Sequence, residues 1–317
     1  MQGEKEHILV IRAGALGDLI FCLRSFTEIR GKHPHAVIAL LTRTPFAEFA
    51  KAMPWFDRVI VDTHPHWTEI GEWARLIGEI KTFAPTRVYD LQGKTRQNIT
   101  YALLGGPLGP EWSGAAPGCK FPRPWPPKPK MHFTDFLAAQ LRAASVKAEP
   151  PPDLAWLNAP IEKFGLPENY VVLIPSCSPA APYKRWPPEN YVLLVRHLLA
   201  RGLSSVVVGT PDDAEYVIDI EAHVPVVNLC GKTNLFELAG VLRGARAIVG
   251  GDTGPLHMAA ALGAPTLALF SGKSNPDWSK PPGKNSAWLQ RSVLANLSVD
   301  RVLAAFNILL DHTKSKD

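Results

Sequence analysis

Gly250-Gly251-Asp252-Thr253-Gly254-Pro255-Leu256-His257 joins an apolar run, Ala245–Val249, to a helix-like segment rich in Ala and Leu. A strand that ends in two glycines and leads into a helix leaves several backbone N–H groups at one point without internal partners. The positive end of the helix adds to them, so this turn suits a phosphate, which His257 can reach from the first helical turn. The alternative is a capped helix, with Asp252 or Thr253 as N-cap and Pro255 near its start.

The first half of the chain alternates apolar runs with helix-like stretches. His7–Ala13 is almost continuously apolar, which is typical of a strand buried on both faces. Gly14-Ala15-Leu16-Gly17 predicts a tight turn, and Asp18–Arg30 has helical periodicity. Further strands are expected at Ala36–Leu41, Arg58–Val61 and Arg87–Leu91. This order predicts a parallel sheet with right-handed crossovers.

The second half repeats the alternation. Its predicted strands are Tyr170–Ile174, Ser205–Val208, Val226–Leu229, Ala247–Val249 and Thr266–Phe270, and its predicted helices are Pro188–Arg201, Asp213–His223, Leu235–Arg243, Pro255–Leu262 and Val299–Asp311. We therefore expect an α/β protein of two doubly wound, Rossmann-like domains, 1–150 and 151–317, facing a central cleft. The final helix docks on the second domain or packs back on the first. Ligands of such domains bind outside the carboxyl ends of the strands.

Two proline-rich stretches interrupt the pattern. Eight prolines between Gly105 and Lys130 predict a segment without regular structure, packed over a surface through its aromatic side chains. A helix is expected after it, at Phe133–Ser145. The second stretch, Glu149–Asp153, predicts the interdomain linker.

The composition describes a globular protein that favours anionic partners. Of the 317 residues 46% are hydrophobic and 20% are charged, and the net charge is +5. No basic block with interleaved aromatics predicts a nucleic-acid groove. The four scattered cysteines indicate reduced thiols in a cytoplasmic protein, not a zinc site. The polar start is not a signal peptide, and no apolar stretch reaches membrane-spanning length, so any membrane contact is expected to be peripheral.

The turn after the first strand offers a carboxylate at a helix start. Gly14 and Gly17 form a loop without bulky side chains, and it lacks the patterns of a dinucleotide fold or P-loop. The helix dipole favours ionised Asp18 by about 0.3–1 kcal/mol. An ionised carboxylate in a cleft can act as a general base, and the alternative is a simple helix cap.

Other strand ends carry candidate binding residues. Ser176, Lys184 and Arg185 follow the first strand of the second half, and hydroxyls with cations suit a pyrophosphate. The alternative is a solvated loop above a packed Trp186. Thr233, in another turn, is placed to line a nucleotide. On the first domain the candidate acceptor contacts are Gln92, Arg96 and His132.

Three stretches resemble glycosyltransferase family 9, the heptosyltransferases of the lipopolysaccharide inner core. They are Ile8–Asp18 with its Gly-Asp turn, Lys184-Arg185-Trp186-Pro187-Pro188-Glu189, and Val249–Gly263. The order and spacing fit across most of the chain. The Ser176–Tyr183 stretch departs from the family form through extra Ala and Pro, and Gly105–Lys130 matches poorly.

The resemblance implies a GT-B fold and an inverting transfer that uses no metal or other cofactor. It makes Asp18 the catalytic base, Lys184 a phosphate ligand and Thr233 a nucleotide contact. The donor-binding turn comprises Asp252, Thr253, Gly254, Pro255 and His257. The implied donor is ADP-heptose. The implied acceptor is a Kdo- or heptose-bearing lipid A precursor on the cytoplasmic face of the inner membrane, with peripheral contact to its anionic surface.

Three other functions are compatible with parts of the sequence. A relative within the family can use another nucleotide sugar. Doubly wound domains also occur in nicotinamide-dependent oxidoreductases, although this chain lacks their glycine motif and ribose-binding acid. The third alternative is a catalytically silent glycan-binding scaffold.

Overall fold

The computed structural model describes residues 5–125, 127, 130–283 and 285–314, without the side chains of residues 312–314. The chain divides into two compact units, Met1–Trp156 and Leu157–Asp317. The boundary lies a few residues beyond the expected linker. Trp156 belongs to the first unit because its ring packs 5.5 Å from Phe49 and 5.9 Å from Trp55. Pro126, Lys128 and Pro129 of the proline-rich segment lie outside the described residues.

In the first unit the strands are β1 His7–Ile11, β2 Val37–Arg43, β3 Arg58–Asp62, β4 Arg87–Asp90, β5 Glu111–Gly114 and β6 Phe121–Pro122. The helices are α1 Leu16–Lys32, α2 Ala47–Lys51, α3 Ile70–Phe83, α4 Thr95–Leu103 and α5 Phe133–Ala143. The strands form a parallel sheet in the order β3-β2-β1-β4-β5-β6.

The core of the first unit explains the continuous apolar run of β1. Ile8 and Val10 are completely buried, as are Leu9 and the neighbouring Ala39. On one face Leu9 and Ile11 pack in a cluster with Trp73 and other apolar residues of α3. Helices cover both faces of a parallel sheet, so its central strand meets no water and needs no polar side chains.

The proline-rich segment corrects one expectation. It contributes β5 and β6, which extend the sheet beyond β4. Strand β5 lies between Pro110 and Pro117 and contains no proline, so all its backbone N–H groups remain. Strand β6 is at the edge of the sheet and ends in Pro122, where a missing N–H costs no interior ladder bond.

In the second unit the strands are β7 Tyr170–Ile174, β8 Ser204–Val207, β9 Val227–Asn228, β10 Ala247–Gly251, β11 Thr266–Ser271 and β12 Ser286–Arg291. The helices are α6 Pro188–Leu199, α7 Ala214–Glu221, α8 Leu235–Gly244, α9 Gly254–Ala261, α10 Pro276–Ser279 and α11 Val299–Lys314. The strands form a parallel sheet in the order β12-β11-β10-β7-β8-β9.

The second unit contains a strand that the sequence did not reveal and a final helix that it did. Strand β12 is partly exposed along its length, so its apolar pattern is weak. Helix α11 buries Val302, Phe306 and Leu309 in the same apolar cluster as β7, β10 and α6. The final helix is thus part of the second unit's core.

Both sheets place a topological switch at their centre. In the first, the chain runs outward from β1 through β2 to β3, and then from β4 outward on the other side. In the second, β7 and β10 are the equivalent neighbours. Ligands of doubly wound folds bind outside the carboxyl ends of the strands at this point. Within the described chain, no helix is both long and apolar enough to cross a membrane.

Candidate active site

Asp18 lies in the first turn of α1, at the carboxyl end of β1. Its Oδ2 accepts a hydrogen bond of 2.9 Å from the backbone N–H of Ala15, which satisfies a donor at the helix start. Gly14 makes room for the carboxylate, because a Cβ at residue 14 would lie 2.1 Å from Oδ2. Gly17 is in the same first turn. The side chain of Asp18 is 41% exposed, so a ligand can reach it.

Arg12, which the sequence did not single out, holds the Asp18 carboxylate in place. Its buried guanidinium donates from Nη2 to Asp18 Oδ1 at 2.6 Å and from Nε to the Asp18 backbone oxygen at 3.1 Å. It also donates from Nη1 to the Leu91 carbonyl at 2.5 Å. One side chain therefore joins β1, α1 and the residue after β4. The available signal was a cation at the end of an otherwise apolar strand.

The end of β4 presents a buried carboxyl group. Asp90 Oδ1 accepts hydrogen bonds from the backbone N–H groups of Gln92 at 3.0 Å and Gly93 at 2.8 Å. Burial raises the pKa of the Asp90 carboxyl above its usual value. Gln92 is half-buried beside it, and its Oε1 is buried without a hydrogen-bond partner among the described residues. The predicted acceptor contact Gln92 thus lies at the central switch point.

A second arginine reaches this point from the proline-rich segment. Arg123 donates from Nη2 to the Asp90 carbonyl at 2.8 Å and from Nε to Gln140 Oε1 at 2.7 Å. A Cβ on Gly93 would lie 2.0 Å from Arg123 Nη1, and Gly93 has a φ of +64°. Both features favour glycine at this position. Sequence patterns missed Arg123 because nothing local indicates that its segment returns to β4.

The other two predicted acceptor contacts have structural partners. Arg96 is 8% exposed and donates to both carboxylate oxygens of Asp62, at 3.1 and 3.2 Å, and to the Pro65 carbonyl at 3.0 Å. These contacts favour a structural role for Arg96. His132 is the N-cap of α5, where its ring accepts from the backbone N–H of Thr134.

In the second unit Asp252 follows β10 and organises the turn before α9. Its Oδ1 lies 2.9 Å from His257 Nε2, and its Oδ2 accepts from Lys184 Nζ at 2.7 Å. Burial by itself raises the pKa of the Asp252 carboxyl, but His257 and Lys184 outweigh it and lower the pKa to about 2. Asp252 is therefore an anion at neutral pH, with two basic side chains held against it.

Thr253, Gly254 and Pro255 form the start of α9, as the sequence indicated. Thr253 is the N-cap, and Pro255 is the second helical residue, where its missing N–H costs no helical bond. The two preceding glycines allow close packing: a Cβ on Gly250 would lie 2.6 Å from Ile174 Cβ, and one on Gly251 would lie 2.7 Å from the Lys184 carbonyl.

Lys184 and Arg185 are both anchored to carboxylates. Lys184 Nζ also donates to the Asp252 carbonyl at 2.8 Å, and its side chain is 23% exposed. Arg185 Nη2 donates to Asp213 Oδ1 at 2.7 Å, and its guanidinium packs 4.9 Å from the Tyr216 ring. Both cations therefore have fixed positions.

The remaining predicted donor contacts also follow strands. Ser176 is 7% exposed and follows β7, the neighbour of β10 in the sheet. Thr233 is half-buried and precedes Asn234, the N-cap of α8. Among the described residues, no three His, Cys, Asp or Glu side chains are grouped as a metal site requires.

Comparison with known proteins shows which family this chain matches. The family model described as glycosyltransferase family 9 (heptosyltransferase) matches residues 135–298. Lipopolysaccharide heptosyltransferase 2 of Escherichia coli K12 is 25% identical over 299 residues, 86% of this chain and 85% of that protein.

Two solved structures are similar over nearly their whole length. That of E. coli ADP-heptose lps heptosyltransferase II has a TM-score of 0.78 at 22% identity and covers 97% of this chain and 99% of its own. The glycosyl transferase family 9 protein from Veillonella parvula has a TM-score of 0.82 at 19% identity, with coverage of 98% and 99%. This likeness establishes the GT-B fold.

Proposed function

Because the chain belongs to glycosyltransferase family 9, we propose that it moves a heptose from ADP-heptose to the inner core of lipopolysaccharide, on a Kdo- or heptose-bearing lipid A acceptor. The transfer inverts the configuration at the anomeric carbon and needs no metal ion. The names of the relatives support this donor and acceptor. Family membership also favours a transferase over the oxidoreductase and scaffold alternatives.

One observation carries the proposal: each unit places a charged group at its central switch point. Asp18 in the first unit is a reachable carboxylate with a fixed orientation. Asp252 in the second unit holds Lys184 and His257 at the start of α9. An inverting transfer needs one base and one site that stabilises a departing diphosphate, and these two arrangements supply them.

In the proposed reaction Asp18 is the general base. The acceptor hydroxyl oxygen attacks the anomeric carbon of the heptose, and its proton passes to the Asp18 carboxylate. The bond from that carbon to the diphosphate oxygen breaks, and ADP leaves with the electron pair. Arg12 is a positioning residue, since it fixes Oδ1 and leaves the exposed part of the carboxylate to the acceptor.

The second unit stabilises the departing diphosphate. An ammonium group has three N–H donors, and two of those on Lys184 go to Asp252, which leaves the third for a phosphate oxygen. The backbone N–H groups of Gly254 and Leu256, at the start of α9, add their partial positive charge. Asp252 is then a positioning residue that aims Lys184 and His257.

The other site residues complete the proposal. Residues 1–150 bind the acceptor, with Gln92 and His132 beside it, Arg96 in support and the Gly14 and Gly17 turn beneath. Residues 151–317 bind the nucleotide sugar, with Ser176, Arg185, Thr233, Thr253 and Pro255 lining it. The net charge of +5 favours a peripheral contact with the anionic inner-membrane surface from the cytoplasm.

A donor screen tests the function directly. The purified protein is mixed with a Kdo-bearing lipid A acceptor and with ADP-heptose, ADP-glucose, UDP-glucose or GDP-mannose, and transfer is followed by mass spectrometry. We expect heptose transfer that EDTA does not slow, and a higher unfolding temperature with ADP-heptose, because a ligand of the native state stabilises it by mass action. Transfer from another nucleotide sugar only would reassign the donor.

Asp18→Asn tests the base. The amide can keep the contact with Arg12 but cannot take the acceptor proton, so we expect kcat to fall about 100- to 10,000-fold. Stabilisation by ADP should remain, because the donor contacts are in the other unit. A wild-type kcat in this variant would show that Asp18 is not the base.

A further inference from the structure

The loop between β3 and α3, residues 63–69, presents a large exposed ring. Trp67 is 53% exposed, whereas tryptophan is on average highly buried in folded proteins. Because β3 is parallel to β2 and β2 to β1, this loop leaves the sheet at the same edge as the Asp18 turn. Two strand spacings separate β3 from β1, about 10 Å in all. Trp67 is therefore beside the reacting groups rather than at them.

The Trp67 ring has a rigid support on one side. It stacks on Trp73 with ring centroids 5.4 Å apart and planes inclined by 16°. The Arg96 guanidinium lies 4.1 Å from the Trp73 centroid and 5.8 Å from that of Trp67. Arg96 is in turn fixed by two hydrogen bonds to buried Asp62. This ion pair thus holds an aromatic stack in place.

The backbone of the loop is held as well. His64 adopts a φ of +57°, and its N–H donates to Asp62 Oδ1 at 2.7 Å. The N–H of His66 donates to the Glu69 carboxylate. The first bond precedes Trp67 and the second spans it, so the loop is ordered before any ligand arrives and binding to the indole costs little conformational entropy.

We propose that Trp67 is a stacking platform for a sugar ring of the acceptor saccharide. This inference rests on the proposed function and adds an acceptor contact to it. The C–H groups on one face of a sugar ring are weakly positive, and the face of an indole carries negative charge. Stacking therefore gains both dispersion and electrostatic energy, while the sugar hydroxyls stay at the rim for polar contacts.

The charge around Trp67 favours a saccharide over a lipid surface. Glu69 and Glu72, at the end of the loop and in the first turn of α3, are both exposed. Carboxylates are repelled by anionic lipid headgroups and by the carboxylate of Kdo, whereas they accept hydrogen bonds from the hydroxyls of an uncharged ring such as heptose. Arg75 on α3 is paired with Glu72 at 3.1 Å, and Arg96 beneath the stack is paired with Asp62. An indole that anchored a membrane would be expected among basic residues.

The test compares Trp67→Ala with Trp67→Phe and with a matched control. The control is Trp288→Ala, since Trp288 is 42% exposed on β12 of the other unit. Each variant is assayed with ADP-heptose and either a deacylated, water-soluble inner-core oligosaccharide or the same saccharide on its lipid in anionic vesicles. Thermal unfolding establishes that each variant is folded.

We expect Trp67→Ala to raise KM for the soluble acceptor about tenfold, with kcat and the ADP-heptose KM unchanged. Trp67→Phe should restore most of the affinity, and Trp288→Ala should behave as wild type. An unchanged acceptor KM in Trp67→Ala overturns the proposal. An effect confined to the vesicle-bound acceptor also overturns it, because it assigns Trp67 to the membrane.

Failure of the proposed function is recognised separately. If the wild type transfers no heptose, saturation-transfer NMR with the same oligosaccharide still compares its binding to wild type and Trp67→Ala. Weaker saturation in the variant supports the platform without any transfer activity. Equal saturation in the two proteins contradicts it.

Discussion

At the scale of single residues, the first unit depends on Arg12. Its guanidinium contacts the Asp18 side chain, the Asp18 backbone and the Leu91 carbonyl, and it lies 5.0 Å from the Phe133 ring. A carboxylate is an effective base only when its lone pairs point at the acceptor hydroxyl. Because Arg12 is 3% exposed, its position is set by the surrounding structure rather than by solvent.

Replacing Arg12 should therefore impair catalysis more than donor binding. We expect Arg12→Met to lower kcat on the order of 100-fold through misplacement of Asp18, with little change in the ADP-heptose KM. Arg12→Lys should recover part of the loss, since it restores a cation. The matched control is Arg24→Met, because Arg24 is on α1, the helix that Arg12 contacts through Asp18, and its side chain is 53% exposed. A fall in stability without a fall in kcat would make Arg12 purely structural.

At the scale of elements, the junction of β1 and α1 combines a helix start with the proposed general base. The Asp18 carboxylate satisfies the Ala15 N–H and lies against the α-carbon of Gly14. The capping and catalytic interpretations of Asp18 are thus compatible. A helix start holds a carboxylate in place because the first N–H groups of the helix have no intrahelical acceptor and donate to the carboxylate instead.

The junction gives a test that changes space and not charge. A methyl group at residue 14 would lie 2.1 Å from Asp18 Oδ2, so we expect Gly14→Ala to displace the carboxylate and lower kcat at least tenfold. In the control Gly78→Ala, on α3, the methyl group meets nothing within 4 Å. That variant should keep its activity. Its free energy of unfolding should rise by up to about 1 kcal/mol, because alanine has a higher helix propensity than glycine. Steady-state kinetics and urea unfolding measure both.

At the scale of the whole molecule, acid should weaken the second unit through Asp252. Its carboxyl has a pKa of about 2 in the folded chain against a usual 3.8. A depressed pKa contributes stability that is fully present above the unfolded value and is lost as the pH falls through the folded value. The Asp252 contribution is therefore complete above about pH 4 to 5 and disappears towards pH 2.

This linkage predicts a pH-dependent gap between wild type and Asp252→Asn. We expect the wild type to be more stable by about 2 kcal/mol at pH 6, and the gap to shrink between pH 4 and pH 2. Urea unfolding across this range measures it, with Asp212→Asn at an exposed position as the control. A gap that stays constant with pH would show that Asp252 acts through packing and not through its charge.

Local sequence patterns predicted most of the elements and both turns. Apolar periodicity located β1 and β7, and the Gly-Asp patterns located Asp18 and Asp252 at strand ends. These features are local: a strand buried on both faces must be apolar throughout, and a helix start after a strand needs glycine and a capping group. The resemblance to the family depended on the same local stretches.

Which distant groups meet follows from the tertiary fold alone. It added β5 and β6 to the sheet, brought Arg123 back to Asp90, and paired Arg96 with Asp62 beneath an aromatic stack. A long charged side chain can reach partners in many directions from its backbone position. Which carboxylate or carbonyl it meets depends on strand order and loop path, and these follow from packing across the whole unit rather than from neighbouring residues.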